Sequence, residues 1–477
     1  GVSLSDSRYE MIGYEGGLKL INFFAVHNID FNKAWKAKQS GWHDQTRAIF
    51  ANAEIGWKSM IYLTATGRND WDSRLAFSDY KSFFYPSIGL SAILTSMFNA
   101  PDWLTYLKVR GSYTEVGNSY GRFMTTVTYP YDEQTQSWTS TSSYPNTKLK
   151  PERTKSWEVG LDARILNISL NLTYYRSNTY NQTFYADLSL SSGYSNIPIQ
   201  SGNIMNEGLE MSLGYNKQWK DFSFNTNYTL TWNKNRVKRL ADGVYNYATG
   251  QPIQMPELSP LTYGHTDARL ILRVGGSMGD VYGQRLLKRD LNGYILNEEG
   301  VGLAMENKET YLGSILPKMN MGWSLGFGYK GVNLGMTFTG RFGGIVISET
   351  QSVLDAAGVS KVSADVRDAG GVQINQSKVS AQTYYQTIQG TAAYYTYSAT
   401  NVRLGELSLS YTLPKKWFDN KVGMTVGLVG KNLWMIYCKA PFDPELTTSA
   451  ASNFYQGFDA YMLPSTRNFG FNVKFQF

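Results

Sequence analysis

The chain closes on Asn468-Phe469-Gly470-Phe471-Asn472-Val473-Lys474-Phe475-Gln476-Phe477. In an extended strand, successive side chains point to opposite faces. Phe469, Phe471, Val473, Phe475 and Phe477 therefore share one face, and Asn468, Gly470, Asn472, Lys474 and Gln476 share the other. A soluble sheet that left such an apolar face bare would invite aggregation. Lipid reverses the requirement: the outward face of a membrane strand must be apolar, and its backbone must be paired because no water is there to satisfy it.

Working upstream, the same period of two dominates. In 154–165, Trp157, Val159, Leu161, Ala163 and Ile165 oppose Ser156, Glu158, Gly160, Asp162 and Arg164. In 221–233, Phe222, Phe224, Tyr228, Leu230 and Trp232 oppose Ser223, Asn225, Asn227, Thr229, Thr231 and Asn233. In 319–329, Met321, Trp323, Leu325, Phe327 and Tyr329 oppose Gly322, Ser324, Gly326 and Gly328. Runs of about 10 to 13 residues suit a tilted strand that crosses a bilayer. Charges sit mid-strand on the polar face, as with Lys108 and Arg110 in 107–114. A water-filled lumen accepts such charges and a packed core does not. The candidate lumen-facing residues are thus Lys108, Arg110, Glu158, Asp162, Arg164 and Glu210. The terminal aromatic, with its alternating face Phe469, Phe471, Val473, Phe475 and Phe477, also resembles the signal by which bacterial barrel-assembly machinery recognises its clients.

The connections come in two kinds. Leu166-Asn167, Lys330-Gly331, 56–58 and 217–220 read as tight turns. They alternate with long polar segments near 117–154, 178–204, 235–265, 342–400 and 433–464, the pattern of short periplasmic turns and long extracellular loops. The reading is all-β: a transmembrane antiparallel β-barrel of about 14 to 16 strands, some of them between 235 and 318. No linker breaks the chain, so 1–477 reads as one continuous domain.

Composition agrees and narrows the chemistry. Aromatics reach 14% of the 477 residues, with 34 Tyr, enough to supply interface girdles as well as any core. No stretch approaches about 18 consecutive apolar residues, so a membrane-spanning helix is not expected. The net charge of +7 is spread without a basic run, which argues against a nucleic-acid partner. The single Cys438 allows no internal disulfide and reads as a spectator thiol. His27, His43 and His265 have no His or Cys neighbour at metal-ligand spacing, so neither a metal nor a cofactor is expected. The first residues carry no basic and apolar leader pattern, and a mature or truncated form is expected.

Several segments, in order along the chain, resemble the SusC/RagA-like TonB-dependent transporters of Bacteroidetes. They begin with Tyr62-Leu-Thr-Ala-Thr-Gly-Arg-Asn-Asp70, Phe84-Tyr-Pro-Ser-Ile-Gly-Leu-Ser91 and Leu107-Lys-Val-Arg-Gly-Ser-Tyr113 with Gly117-Asn118. Leu149-Lys-Pro-Glu-Arg-Thr-Lys-Ser-Trp-Glu-Val-Gly-Leu-Asp162 follows, then Ser192-Gly-Tyr-Ser195, Gly202-Asn203 and Asn206-Glu-Gly-Leu-Glu210. The set ends with Asn401-Val-Arg-Leu-Gly-Glu-Leu-Ser-Leu-Ser-Tyr411, Leu413-Pro414, Gly430-Lys-Asn-Leu433, Phe442-Asp-Pro-Glu445 and the terminal Phe477. The resemblance implies a 22-stranded outer-membrane barrel with an N-terminal plug. It also implies a SusD-like surface lipoprotein as partner, TonB acting through the N-terminal region, and contact with outer-membrane lipid and lipopolysaccharide. The ligand would be an oligosaccharide or oligopeptide. The expectation is that this chain is the C-terminal part of such a barrel, without the plug and first strands.

Two readings of the loops stay open beside self-packing. Tyr120, Tyr129, Tyr131, Trp138 and Tyr144 could stack on sugar rings, or pack against a partner lipoprotein. Carboxylates such as Glu158, Asp162 and Glu210 could in principle pair for glycosidase chemistry, but a polar wall accounts for them more simply. The function expected is TonB-dependent import of an oligomeric nutrient without enzymatic chemistry. The competing class is a structural or protein-translocating outer-membrane barrel.

Overall fold

The computed structural model describes residues 1–132, 137–139, 141–200, 202–240, 257–298, 302–419, 421–446, 448 and 455–477. Fourteen strands form one antiparallel sheet in which order in space is order in the chain. They are β1 (Val2–Gly16), β2 (Trp35–Trp57), β3 (Ile61–Asp72), β4 (Phe83–Ile93), β5 (Leu104–Asn118), β6 (Glu152–Ile165) and β7 (Ile168–Tyr180). They continue as β8 (Asn203–Trp219), β9 (Phe222–Arg239), β10 (Met319–Tyr329), β11 (Val332–Phe342), β12 (Asn401–Leu413), β13 (Gly423–Cys438) and β14 (Asn468–Gln476). The sheet is the wall of the transmembrane barrel that the alternation implied. Among the described residues β1 pairs only with β2 and β14 only with β13, so both outer edges are open.

One end of the sheet carries short turns. Leu166–Asn167 and Lys330–Gly331 are two-residue hairpins, and both residues of the second have positive φ (46° and 89°), the backbone that matches strand twist. Two turns lie later than the sequence suggested. Trp57 still pairs with Ile61 and Trp219 with Phe222, which moves the turns to 58–60 and to Lys220–Asp221.

The other end carries the long connections, and here the sequence reading needs correction. Among the described residues, the stretch between β9 and β10 contributes no wall strand. Its described part forms a separate four-stranded sheet of Glu257–Thr262, Arg269–Arg273, Asp280–Leu287 and Met305–Ser314. The middle of the loop expected at 235–265 (241–256) lies outside the described residues. The segment 342–400 is not simply polar loop: it holds three helices, α1 (Glu349–Ala356), α2 (Lys361–Asp368) and α3 (Ala381–Ile388). Ser348, Ser360 and Ser380 start them, each accepting the N–H of the residue three positions on.

Burial is distributed as lipid requires. Among the described residues, only six of the buried apolar side chains belong to wall strands: Ala48, Phe83, Ala163, Ile204, Met205 and Val237. The rest sit in the long connections, where Tyr263, Leu270, Val281, Ile315 and Ile347 form one cluster. On the wall, by contrast, Ile55, Val159, Leu409, Leu428 and Phe471 are exposed. β2 has 23 residues, or about 75 Å at ~3.3 Å per residue, against a hydrocarbon thickness of about 30 Å. Its first half, paired with β1, therefore projects beyond the membrane beside the long connections.

Candidate functional site

The pairing register gathers the charged wall residues. Lys108 faces Asp162, Arg110 faces Gly160, Glu158 faces Ser112, and Arg164 faces Tyr106. Glu210 lies between Thr173 and Thr231. Directly paired residues share a face, so all six candidates lie on one polar face. Arg110 crosses diagonally, with Nη1 2.7 Å from Asp162 Oδ2 and Nη2 donating to Thr173 Oγ1 at 2.6 Å. Gly160 makes this possible: a Cβ there would stand 2.6 Å from Arg110 Nε. Asn171 donates to the other Asp162 oxygen. Lys108, Glu158 and Glu210 make no ion pair among the described residues.

At the long-connection end, buried carboxylates tie together segments distant in sequence. Asp70 accepts from Arg68 Nε and from the Tyr85 hydroxyl, both at 2.7 Å. Asp72 accepts from Arg74 Nη2 at 2.6 Å and from Ser119 Oγ at 2.8 Å. The segments around 62–72, 84–91 and 118–119 thus meet at two acids. Farther along, Arg403 donates to Asp443 through Nη1 (2.9 Å) and Nη2 (2.8 Å), and Asn401 Nδ2 donates to Glu445 Oε1 at 3.1 Å. Burial pushes the Asp443 carboxyl up, but the Arg403 hydrogen bonds and charge outweigh it and hold the group below the usual carboxylate range.

The loop aromatics part company. Tyr120 is 5% exposed and packs with Leu75, Phe83 and Leu149, so it belongs to a local core and is not a contact surface. Tyr144 packs beside the cluster of Phe184 and Ile199 and meets Tyr194 edge-on at 5.1 Å. Tyr129, Tyr131 and Trp138 are exposed, and the last two rings lie 5.0 Å apart in the small hairpin of Tyr131–Asp132 and Ser137–Trp138. This hairpin faces the projecting half of β2 across a cavity of about 590 Å³ lined by Met11, Trp35, Lys36, Lys38, Tyr131 and Thr139. Nearby on the same strand pair, Tyr9 stacks on Trp42 at 5.9 Å, and the Arg122 guanidinium lies 3.7 Å over the Trp42 ring while bonding Asp44 at 2.6 Å. The sequence reading missed Met11, Trp35, Trp42 and Arg122. For Trp35 and Trp42 the signal was the length of the extended stretch 35–57, which is too long to be spent inside a bilayer; Met11 and Arg122 carried none.

Two short motifs also escaped the sequence reading. Gly275-Gly276-Ser277-Met278-Gly279 has the spacing of a nucleophile elbow, which needs a strand-turn-helix setting. Here it is a turn between two strands, and the Ser277 hydroxyl meets Asn235 Oδ1 and Ser314 Oγ, neither of them a base. Gly326-Phe327-Gly328-Tyr329-Lys330-Gly331 has dinucleotide-loop spacing, but it lies on β10 and runs into a hairpin with no helix to receive a phosphate. Among the described residues no His, Cys, Asp and Glu cluster fit for a metal occurs.

The family model described as TonB dependent receptor-like, beta-barrel, matches residues 13–433. TonB-dependent receptor P3 of Formosa agariphila is 24% identical, the alignment covering 98% of this chain and 50% of the relative. TonB-dependent receptor SusC of Bacteroides thetaiotaomicron is 25% identical over 50% of this chain and 22% of its own length. Among solved structures, the RagAB peptide importer in its open-open state superposes with a TM-score of 0.74 at 18% identity, over 100% of this chain and 52% of that one. The chain thus spans about half the length of TonB-dependent receptor P3 and of the RagAB chain it superposes on.

Proposed function

The chain belongs to the TonB dependent receptor-like β-barrel family, an outer-membrane barrel wall, and from that premise we propose that it serves import of an oligomeric nutrient, a glycan or a peptide. The observation that carries this reading is the two-sided wall: a polar face continuous from β4 to β14, and a bare apolar face opposite it. We read the polar face, with Lys108, Arg110, Glu158, Asp162, Arg164 and Glu210, as the lumen side. The open edges of β1 and β14 require further strands, since unpaired backbone is not tolerated in lipid. The chain is accordingly read as the C-terminal part of a larger ring that encloses a plug on which TonB pulls.

A SusD-like lipoprotein is the partner proposed at the long-connection end. The groove of Trp35, Tyr131 and Lys38 suits a ligand that offers flat faces to aromatic rings and hydroxyls or amides to polar groups. The wall performs no covalent step in this reading; it captures and conducts. A strain lacking the full-length protein should fail to grow on one glycan or peptide that supports its parent, and the affinity-tagged protein should co-purify with the lipoprotein. Equal growth of mutant and parent on every glycan and peptide tried would sink the import reading and favour a structural barrel.

A further inference from the structure

The long connection between β11 and β12 holds a cavity apart from the groove beside β2. Its helices α1, α2 and α3 pack against one another and enclose about 590 Å³, within the ~300–1,000 Å³ typical of small-molecule sites. Asp355, at the end of α1, lines this cavity and is only 5% exposed. Gln351 Nε2 donates to its Oδ1 at 2.7 Å. Among the described residues Oδ2 accepts nothing and the carboxylate has no ion pair. Tyr385, 7% exposed, lines the cavity too, and among the described residues its hydroxyl has no hydrogen-bond partner. Burial first, and the Asp355 charge after it, hold the Tyr385, Tyr395 and Tyr397 phenols above their ordinary range. The carboxylate thus stands among aromatic rings with one neutral donor, and a buried charge so poorly compensated calls for a cation.

Arg367 also lines the cavity, but its Nε turns to Asp368 at 3.3 Å and its side chain is exposed. A metal ion needs more oxygen donors than one carboxylate supplies, and among the described residues no such cluster occurs. A primary ammonium fits, because it can donate to Asp355 Oδ2 and to the Tyr385 oxygen together. The mouth has the opposite character. Arg367 and Gln382 are exposed there, and the first turn of α3 presents N–H groups that have no intrahelical carbonyl and favour negative charge. Along α3, Ala381 and Tyr385 are one helical turn apart, about 6 Å at ~1.5 Å per residue. Two extended residues at ~3.3–3.6 Å each span that distance between their charged ends.

We infer that the cavity between α1, α2 and α3 binds a dipeptide-sized zwitterion, its ammonium on Asp355 and Tyr385 and its carboxylate toward Arg367 and the first turn of α3. The assignment stands apart from the import reading, since binding is read without transport.

The test uses the purified full-length protein in detergent, titrated calorimetrically with glycylglycine, N-acetylglycylglycine, glycylglycinamide and putrescine. Hydrogen–deuterium exchange of the wild type, with and without glycylglycine, locates the site. Glycylglycine should bind and slow exchange in 353–358 and 381–388. N-acetylation of the ligand, or Asp355→Asn in the protein, should weaken binding about tenfold or more, and Tyr385→Phe about three- to tenfold. Glycylglycinamide should bind about three- to tenfold more weakly than glycylglycine, and Arg367→Gln should abolish that difference. The acetylated ligand and the exchange map need no variant, so a misfolded substitution leaves the question decided. No binding up to about 10 mM, protection confined to other segments, or equal binding of the acetylated ligand would overturn the assignment. Putrescine binding as tightly as glycylglycine, or an amide difference that persists in R367Q, would overturn its zwitterionic form. Growth on glycans and peptides, which decides the import reading, is untouched by any of these results.

Discussion

Replacing Asp443 by Ala tests whether the segments 401–411 and 442–445 are one structural unit. In the folded chain Arg403 and Asp443 are 10% and 8% exposed, and two charge-assisted hydrogen bonds of 2.9 and 2.8 Å join them. The variant leaves the guanidinium with Asn401 Oδ1 at 3.1 and 3.2 Å and with the more exposed Glu445 carboxylate at 3.4 Å. Breaking a buried ion pair from one side costs about 3–5 kcal/mol, and the surviving Glu445 contact places this case near ~3 kcal/mol. At ~1.4 kcal/mol per decade, local opening should rise roughly a hundredfold. Hydrogen–deuterium exchange over 401–404 and 439–446 in detergent reads this directly. D443A combined with R403M should recover part of the loss, because it removes the orphaned cation. Exchange raised by less than about threefold, or a double variant no better than the single one, would refute the reasoning.

The same clamp predicts a pH dependence. A carboxyl whose pKa is depressed on folding contributes stability that is complete above its unfolded value, about 4, and is lost as pH falls through the lower folded value. Exchange in the wild-type segment should therefore accelerate below about pH 4, and D443A should have lost that component.

Gly331→Val places a β-branched residue at φ 89° with its Cβ 2.7 Å from the Thr412 carbonyl oxygen, and should cost about 1–3 kcal/mol, read as a lower urea midpoint of the refolded protein. Tyr131→Ala removes a lining ring of the groove, 48% exposed and in tilted contact with Trp138, and should weaken oligomer binding by the full-length protein about three- to tenfold in calorimetry; an unchanged Kd would remove the groove from the site. Phe477→Ala should lower the heat-modifiable folded band in outer-membrane fractions by roughly several-fold if the final aromatic guides assembly, since a strand that is not inserted cannot pair its edge in lipid.

The wall was legible because lipid and water sort side chains by a period of two, and any strand between them must display it. The faces of β6, β9 and β10 follow from that alone. The long connections were not legible, because their burial is tertiary. Nothing near Tyr120 announces that Leu75, Phe83 and Leu149, from three other segments, will close around it, so a buried ring passed for a contact residue. The helices were hidden by their length, since eight residues hold barely two turns of periodicity. Their caps were in plain view: Ser348, Ser360 and Ser380, with Gly358 and Gly370 at positive φ after α1 and α2. In the candidate site, the charged wall residues announced themselves mid-strand, but the groove needed the overlong β2 to be read as a projection.

The inverted placement of the apolar side chains bears on how this sequence can change over generations. In a water-soluble enzyme the strands of the core are frozen and the surface loops drift. Here Val159, Leu409 or Leu428 can exchange for any large apolar neighbour without touching a packed partner. Tyr263, Leu270 and Ile347, in segments that alignment would file as loops, cannot. Substitution rates along the chain should therefore run opposite to the usual expectation. A divergent relative would keep its connections' cores and rewrite its membrane face, and low identity across the wall would be a poor guide to lost function.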